Sequence, residues 1–212
     1  MAKSTKRHPN SKLATEYLAK SHPKLKALIK RIGPPTLTYH FEKEVFEALS
    51  SAIIGQQLHG KAAETIRNRF ISLYSKTGTY PPAKWVLNTP HETLLTAGLS
   101  NAKARAIRDL AERAIQGRIP NRKKAELMSD AELIEALTQV KGIGRWTVEM
   151  FLIFTLGRPD VWPVHDFAVR KGYVSVFKIS KALTPKELDK IGERWRPYRS
   201  MLAWYMWRAT EL

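Results

Sequence analysis

Hydrophobic residues recur at helical spacing along most of the chain. An early run has apolar positions at Phe41, Val45, Phe46, Leu49 and Ile53. This three- and four-residue periodicity, with charged residues between, predicts an amphipathic helix. A short glycine-bounded segment, residues 55–60 (GQQLHG), interrupts the pattern before a second helical run from Lys61 to about Leu73.

Several helix ends are marked by their capping residues. Ser100 is placed to cap a long helix that reaches Gln116 and ends before Gly117. Ser129 and Glu132 have the spacing of a capping box, in which each side chain bonds the other's backbone amide. The run Thr184-Pro185-x-Glu187 predicts a further helix start in the same way.

The remaining pattern favours an all-α fold. Residues 198–208 are predicted to form a strongly aromatic helix, and we find no convincing β-alternating run with hairpin turn residues. Residues 1–12 (MAKSTKRHPNSK) carry charge without apolar periodicity. We therefore expect a flexible basic arm over residues 1–12, followed by one domain over residues 13–212.

Composition supports a globular protein and excludes several classes of site. The chain has 212 residues, of which 43% are hydrophobic, so it is long enough to bury a sizeable core. It has no cysteine, which excludes disulfides, a thiolate nucleophile and cysteine-ligated zinc or iron–sulfur centres. The longest apolar stretch, residues 150–157, is far shorter than the roughly 18 residues of a membrane span. We expect no membrane association, and a protein that is not secreted.

The charge balance points to a polyanionic partner. Lys and Arg total 36 against 19 Asp and Glu, a formal net charge of +17. Nucleic acid is the simplest partner for such an excess. The alternative is a basic soluble protein that binds nucleic acid only nonspecifically. Phosphate contacts are expected from the basic stretch 1–33 and from Lys103, Arg105 and Arg108.

The most informative segment is residues 137–172, LTQVKGIGRWTVEMFLIFTLGRPDVWPVHDFAVRKG. It predicts a helical hairpin over residues 137–156: a short helix, a tight turn with Gly142 and Gly144, and an apolar helix from Arg145 to Leu156. Glycines permit positive φ and close approach of backbone to a phosphate, and amides at a helix N-terminus favour an anion. The alternative is an ordinary helix corner with glycines for packing.

The surroundings of this hairpin resemble the helix-hairpin-helix DNA glycosylases. In that family a VKGIG hairpin is followed some twenty residues later by an essential aspartate, and here Asp166 lies 22 positions after Gly144. Further blocks resemble the alkylated-base, or 3-methyladenine, branch: AIIGQQLHGKAA at 52–63, GLSNAKARAI at 98–107 and ERWRPYRSMLAWYMWR at 193–208. The resemblance covers most of residues 40–208 and implies a two-lobed all-α fold, with a cleft between the lobes and no N-terminal β lobe.

The resemblance implies a role for each matching position. Asp166 would be the catalytic carboxylate, and Trp146 and Trp207 would line the base pocket. Leu58 would be the wedge inserted into the duplex, with Gln57 and His59 touching the gap. DNA phosphate would bind the hairpin at Lys141, Gly142, Ile143, Gly144 and Arg145. No cofactor is required, although a structural Na⁺ or K⁺ would bind the backbone carbonyls of Thr138, Val140 and Ile143.

Each role has a plainer alternative. Asp166 could simply be a helix N-cap, and Leu58 or either tryptophan could be core. Glu149 is interpreted as structural rather than catalytic, and His91 and His165 as surface residues. No His/Asp/Glu cluster has the spacing of a metal site.

The departures from the family narrow the expected activity. Lyase relatives place a lysine nucleophile where this chain has Trp146, so we expect a monofunctional glycosylase that uses water. The resemblance implies a monomer that hydrolyses the N-glycosidic bond of alkylated purines in duplex DNA as a step of base excision repair. The expected partner is duplex DNA with alkylated bases or abasic sites, in the cytoplasm of a prokaryote or the nucleus of a eukaryote. The alternative is an inactive paralogue that only binds lesions or abasic sites.

Overall fold

The computed structural model describes residues 6–212, which divide into two compact units. The described residues up to 42 join residues 152–212 in the first unit, and residues 43–151 form the second. Among the described residues the only sheet has two strands of two residues each. The expectation of an all-α fold in two lobes is confirmed.

The elements follow one another with short connections. The strands are β1 (Lys6–Arg7) and β2 (Thr38–Tyr39), paired antiparallel. The helices are α1 (Ser11–Ser21), α2 (Pro23–Ile32), α3 (Val45–Gly55), α4 (Gly60–Ser72), α5 (Ala83–Asn88), α6 (His91–Thr96), α7 (Asn101–Ile115), α8 (Arg122–Leu127), α9 (Asp130–Leu137), α10 (Arg145–Phe151), α11 (Phe167–Phe177), α12 (Pro185–Gly192) and α13 (Arg199–Ala209). A π-helical turn spans Leu152–Leu156, and a 3₁₀ turn spans Glu193–Trp195.

The first unit is built around α13, which is buried on almost every side, as its all-round hydrophobicity requires. It packs against α1, α2 and α11. The contact with α11 is so close that a Cβ atom on Gly172 would lie 2.2 Å from the carbonyl oxygen of Met206. The start of α13 is fixed by Arg199, whose guanidinium holds both carboxylate oxygens of Asp160 at 2.8 and 2.9 Å.

The second unit is organised by α7, which packs against α3 and α5. Its core contains fully buried side chains from three helices: Leu49, Ile53, Ile107, Leu110 and Leu133. The helical hairpin consists of α9, a turn over residues 138–144 and α10, and α10 also contacts α3. The hairpin turn therefore belongs to a packed unit rather than to an isolated loop.

The capping signals in the sequence are confirmed. The Ser100 hydroxyl accepts the amide of Lys103 at the start of α7. Both capping boxes are present with all their bonds, the first between Ser129 and Glu132 and the second between Thr184 and Glu187. Hydrogen bonds from the hydroxyl and the amide of Ser129 lower the pKa of the Glu132 carboxyl. The bond from Lys181, followed by bonds from the amide and hydroxyl of Thr184, lowers the pKa of Glu187 to about 2.

The expectation of a flexible arm over residues 1–12 is wrong for residues 6–12. Lys6 and Arg7 pair with β2, and the Lys6 ammonium lies 4.0 Å from the centroid of the Phe41 ring. His8 is buried, and α1 already begins at Ser11. A two-residue strand held by such contacts leaves no periodicity in the sequence. The rest of the predicted arm, residues 1–5, lies outside the described residues.

The apolar run after the hairpin turn is not one uniform α-helix. The α-helical part ends at Phe151, and residues 152–156 form the π-helical turn. Its Phe154 carbonyl accepts the amide of His40, next to β2, at 2.8 Å. Hydrophobic periodicity cannot reveal this change, because both conformations keep the run helical and buried.

Candidate functional site

Asp166 is a buried carboxylate at the N-terminus of α11. It is the N-cap of that helix, and its Oδ1 accepts the backbone amide of Val169 at 2.9 Å. The same oxygen accepts the indole N–H of Trp207 at 3.1 Å. Only 8% of the residue is exposed. The N-cap interpretation is thus confirmed, the two bonds fix the orientation of the carboxylate, and its catalytic role stays a prediction.

Trp207 is a half-buried residue of α13 whose ring stacks on a second aromatic side chain. The centroid of Phe154 lies 5.7 Å away, with 23° between the ring planes. Sequence analysis did not single out Phe154, because it lies in a run where almost every residue is apolar. A neighbouring residue it also missed is Phe167, which directly follows Asp166 and is 72% exposed. The structure thus brings Asp166 together with an aromatic pair.

Trp146 belongs to the second unit. It lies in the first turn of α10 and is 45% exposed. Its exposure rules out the core alternative. Whether it lines a base pocket stays a prediction.

The segment between α3 and α4, residues 55–60, is termed the wedge loop. Gln57 has a left-handed backbone with φ of 57°, and Gln57, Leu58 and His59 are all exposed. Leu58 is 38% exposed, so it is not an ordinary core leucine. A large apolar side chain held outside the core is what insertion into a duplex requires, and the role itself stays a prediction.

The hairpin turn, residues 138–144, uses its two glycines differently. Gly142 has φ of +77°, and a Cβ atom there would lie 3.3 Å from the Cβ of Ala106 on α7. Gly144 is not in a positive-φ conformation, and a Cβ atom there would meet nothing within 4 Å. Gly142 therefore permits the backbone conformation of the turn, and Gly144 leaves open space beside the N-terminus of α10.

Not every amide of the turn points outward. The amide of Ile143 bonds the Val140 carbonyl at 3.1 Å, and that of Lys141 bonds Oδ2 of Asp109 at 2.8 Å. The expectation that the Ile143 amide faces a phosphate is therefore wrong, because the turn itself uses it. Ile143 is also buried, whereas Gly144 and Arg145 are exposed.

Two of the three cations expected on α7 have structural bonds. The Lys103 ammonium donates to the carbonyls of Ile54 and Gln56 at 2.8 and 2.7 Å, and burial lowers its pKa. Arg108 donates to the carbonyl of Thr89. Arg105 is exposed. These bonds give Lys103 and Arg108 a structural use, and phosphate contact by the three cations stays a prediction.

Glu149 and His165 agree with their structural interpretation, whereas His91 is less exposed than a surface residue. Glu149 is buried and pairs with Arg145 at 2.9 Å. His165 is exposed, whereas His91 is half-buried and bonds Asn101. Within residues 6–212, no group of three or more His, Asp or Glu side chains could hold a metal ion. In the same range we find no helix long and apolar enough to cross a membrane.

The chain matches known proteins over nearly its whole length. It is 42% identical over 188 residues to DNA-3-methyladenine glycosylase 1 of Schizosaccharomyces pombe, covering 88% of this chain and 82% of the relative. It is 36% identical over 201 residues to the alkylbase DNA glycosidase-like protein mag2 of the same yeast, covering 95% and 94%.

Solved structures give the same result. The S. pombe 3-methyladenine DNA glycosylase in complex with abasic DNA matches with a TM-score of 0.83 and 40% identity, over 94% of this chain and 97% of that one. The DNA-3-methyladenine glycosidase of Bacillus halodurans matches with a TM-score of 0.80 and 30% identity, over 97% and 91%. The profile of the HhH-GPD superfamily of base excision DNA repair proteins matches residues 50–197. The chain therefore belongs to the HhH-GPD superfamily of base excision DNA repair proteins.

Proposed function

We propose that this protein is a monofunctional DNA glycosylase that hydrolyses the N-glycosidic bond of alkylated purines in duplex DNA. The observation that carries the proposal is the buried Asp166 carboxylate, held by the Val169 amide and the Trp207 indole. The substrate class is that named for the relative at 42% identity and for the matching structures.

The chemistry needs one well-placed carboxylate. As the bond between C1′ and the base nitrogen breaks, positive charge develops on the deoxyribose, and a nearby carboxylate stabilises it. Water adds to C1′, its proton passes to Asp166 or to solvent, and the bonding electrons leave with the base. A purine alkylated at N3 or N7 is already cationic, so it departs neutral without a general acid.

The residue at position 146 supports a glycosylase without lyase activity. A lyase requires a lysine amine that attacks C1′ and forms a covalent Schiff base. The corresponding position here is Trp146, an indole that cannot form such a bond. The product is therefore an abasic site with an intact strand.

Aromatic faces suit a cationic base. Trp207, already stacked on Phe154, and the exposed Trp146 are the proposed contacts. Cation–π attraction between an indole and a cation contributes roughly 0.5–2 kcal/mol. This attraction favours binding of a cationic alkylated purine over binding of a neutral base.

Duplex DNA is proposed to contact the second unit through two exposed segments. The wedge loop would insert Leu58 where the damaged nucleotide leaves, with Gln57 and His59 at the gap. Lys141, Gly144 and Arg145 would hold phosphate beside the N-terminus of α10. We propose that the protein acts as a monomer, in the cytoplasm of a prokaryote or the nucleus of a eukaryote.

A monovalent cation is proposed at the hairpin turn. The Val140 carbonyl accepts one amide, from Ile143, and a carbonyl oxygen has a second lone pair for a cation. The carbonyls of Thr138 and Ile143 lie in the same turn. Bound there, Na⁺ or K⁺ would add positive charge next to a phosphate.

A lesion-binding protein without catalysis is the second candidate. The observation in its favour is that Asp166 already caps α11, so an aspartate at this position has a structural use without chemistry.

Release of free base from methylated duplex DNA tests the proposal. The wild type is compared with Asp166→Asn, and with Asp189→Asn as a matched control on the exposed face of α12. We expect release by the wild type and the control, and a loss of at least about a hundredfold in Asp166→Asn. No release by any of them, with tight binding to an abasic-site duplex, would establish the lesion binder instead.

A further inference from the structure

Three residues of α7 face the two segments to which DNA binding is assigned. Lys103, Ala106 and Asp109 recur every three residues, so they lie along one side of the helix. Each touches the wedge loop, the end of α3 or the hairpin turn. All of these segments belong to the second unit.

Lys103 holds the end of α3, at the point where the wedge loop begins. Its ammonium donates to the carbonyls of Ile54 and Gln56 at 2.8 and 2.7 Å. The last carbonyls of a helix have no partner within it, and a cation there also interacts favourably with the helix dipole. The next residue, Gln57, takes the left-handed conformation that turns the chain toward Leu58.

Gln56 joins the wedge loop to the hairpin turn. Its side-chain amide donates to the Gly142 carbonyl at 2.9 Å, while its own carbonyl is held by Lys103. One residue is thus fixed at both ends, by α7 through its backbone and by the hairpin through its side chain.

The hairpin turn rests on the same side of α7. Oδ2 of Asp109 accepts the Lys141 amide at 2.8 Å and the Arg113 guanidinium at 3.0 Å. Ala106 lies directly under Gly142, where a Cβ atom would come within 3.3 Å. The helix therefore supports both segments over two turns.

We propose that Lys103 is a positioning residue that fixes the wedge loop against the hairpin turn through Gln56, so that Leu58 and the phosphate-binding turn meet the duplex as one rigid element. This inference rests on the proposed function, in which Leu58 is the wedge. A loop that is already ordered need not lose conformational freedom when it binds, so fixing it strengthens insertion.

A double-mutant cycle between Lys103→Met and Leu58→Ala tests the proposal. The methionine keeps most of the side-chain volume and removes both hydrogen bonds. Lys123→Met, on the exposed face of α8, removes the same charge elsewhere in the unit and serves as the control. Both the rate of base release from methylated duplex and the affinity for an abasic-site duplex are measured.

If Lys103 acts through Leu58, each single variant should lose about tenfold in base release and in abasic-duplex affinity. The double variant should also lose about tenfold, because removing Leu58 already removes the effect of Lys103. Losses that multiply to about a hundredfold would overturn the inference while the glycosylase activity stands. If the wild type releases no base, the proposed function fails, and the same comparison in abasic-duplex affinity decides the role of Lys103.

Gln56→Ala provides a second variant that does not depend on how well Lys103→Met folds. It removes the bond to Gly142 and leaves the backbone carbonyl that Lys103 holds. We expect the double variant Gln56→Ala/Leu58→Ala to lose no more activity than Leu58→Ala alone. The effect of the control Lys123→Met should be the same with and without Leu58→Ala. Additive behaviour of Gln56→Ala would contradict the coupling between the two segments.

Discussion

The indole nitrogen of Trp207 donates to Oδ1 of Asp166 over 3.1 Å, on the oxygen that also accepts the Val169 amide. The carboxylate is therefore fixed by two helices at once, since it caps α11 and is held from α13. A carboxylate fixed in this way does not have to reorient when charge develops on a sugar beside it.

Trp207→Phe should separate the hydrogen bond from the aromatic surface. Phenylalanine keeps a ring to stack on Phe154 and loses the donor to Asp166. A hydrogen bond to a charged group contributes about 1.5–3 kcal/mol, so base release should fall at least about tenfold. Single-turnover rates on methylated duplex measure this, with Trp85→Phe, an exposed tryptophan of α5, as the control. An unchanged rate would show that the bond has no part in catalysis.

Binding to DNA should weaken steeply with salt, because each phosphate contact releases a counterion. Lys141→Ala should reduce the slope of log affinity against log salt by about 0.9 if the lysine contacts one phosphate. Titrations of an abasic duplex at several salt concentrations give the slope. Lys123→Ala should leave it as in the wild type, and a flat response of the wild type would contradict phosphate binding.

Gly172→Ala should destabilise the first unit. The added Cβ would lie 2.2 Å from the Met206 carbonyl oxygen, so α11 and α13 must move apart. Overpacking of this kind costs about 1–3 kcal/mol. Denaturant unfolding measures the loss, and Gly55→Ala, where the nearest atom would be 3.9 Å away, should not show it.

Acidification should destabilise the protein through His8. Burial lowers the pKa of this imidazole below its ordinary value of 6.5. The unfolded chain therefore takes up a proton first, so the contribution of His8 to stability is full above pH 6.5 and is lost as the pH falls through the folded-state pKa. The free energy of unfolding of His8→Gln should decline less between pH 7 and pH 5 than that of the wild type. An identical decline would contradict the assignment, and His165→Gln, at an exposed position, is the control.

Local signals in the sequence predicted much of this structure. Helix starts at Ser100, Ser129 and Thr184 followed from capping residues, because a cap involves neighbours within three or four positions. The N-cap bond between Asp166 and Val169 is of the same kind. Exposure of Leu58 was expected from its polar and glycine neighbours.

Contacts between distant residues could not be found in this way. The stack of Phe154 on Trp207 joins two largely apolar runs, and nothing in the sequence pairs one ring with the other. The bonds of Lys103 could not be predicted, because its partners are backbone carbonyls, which any residue type can supply. The strand at Lys6–Arg7 is too short to show alternation. In each case the deciding partner lies more than thirty residues away in the chain.

The capping bond of Asp166 also bears on how this gene could diverge. A duplicated copy that no longer released bases would still be selected for Asp or Asn at position 166, because either residue caps α11 well. An aspartate there is consequently a poor marker of activity among descendants of such a duplication. Loss of the ring nitrogen at position 207 would leave the stack on Phe154 in place, so the indole donor to Asp166 is the part of this site that packing does not require.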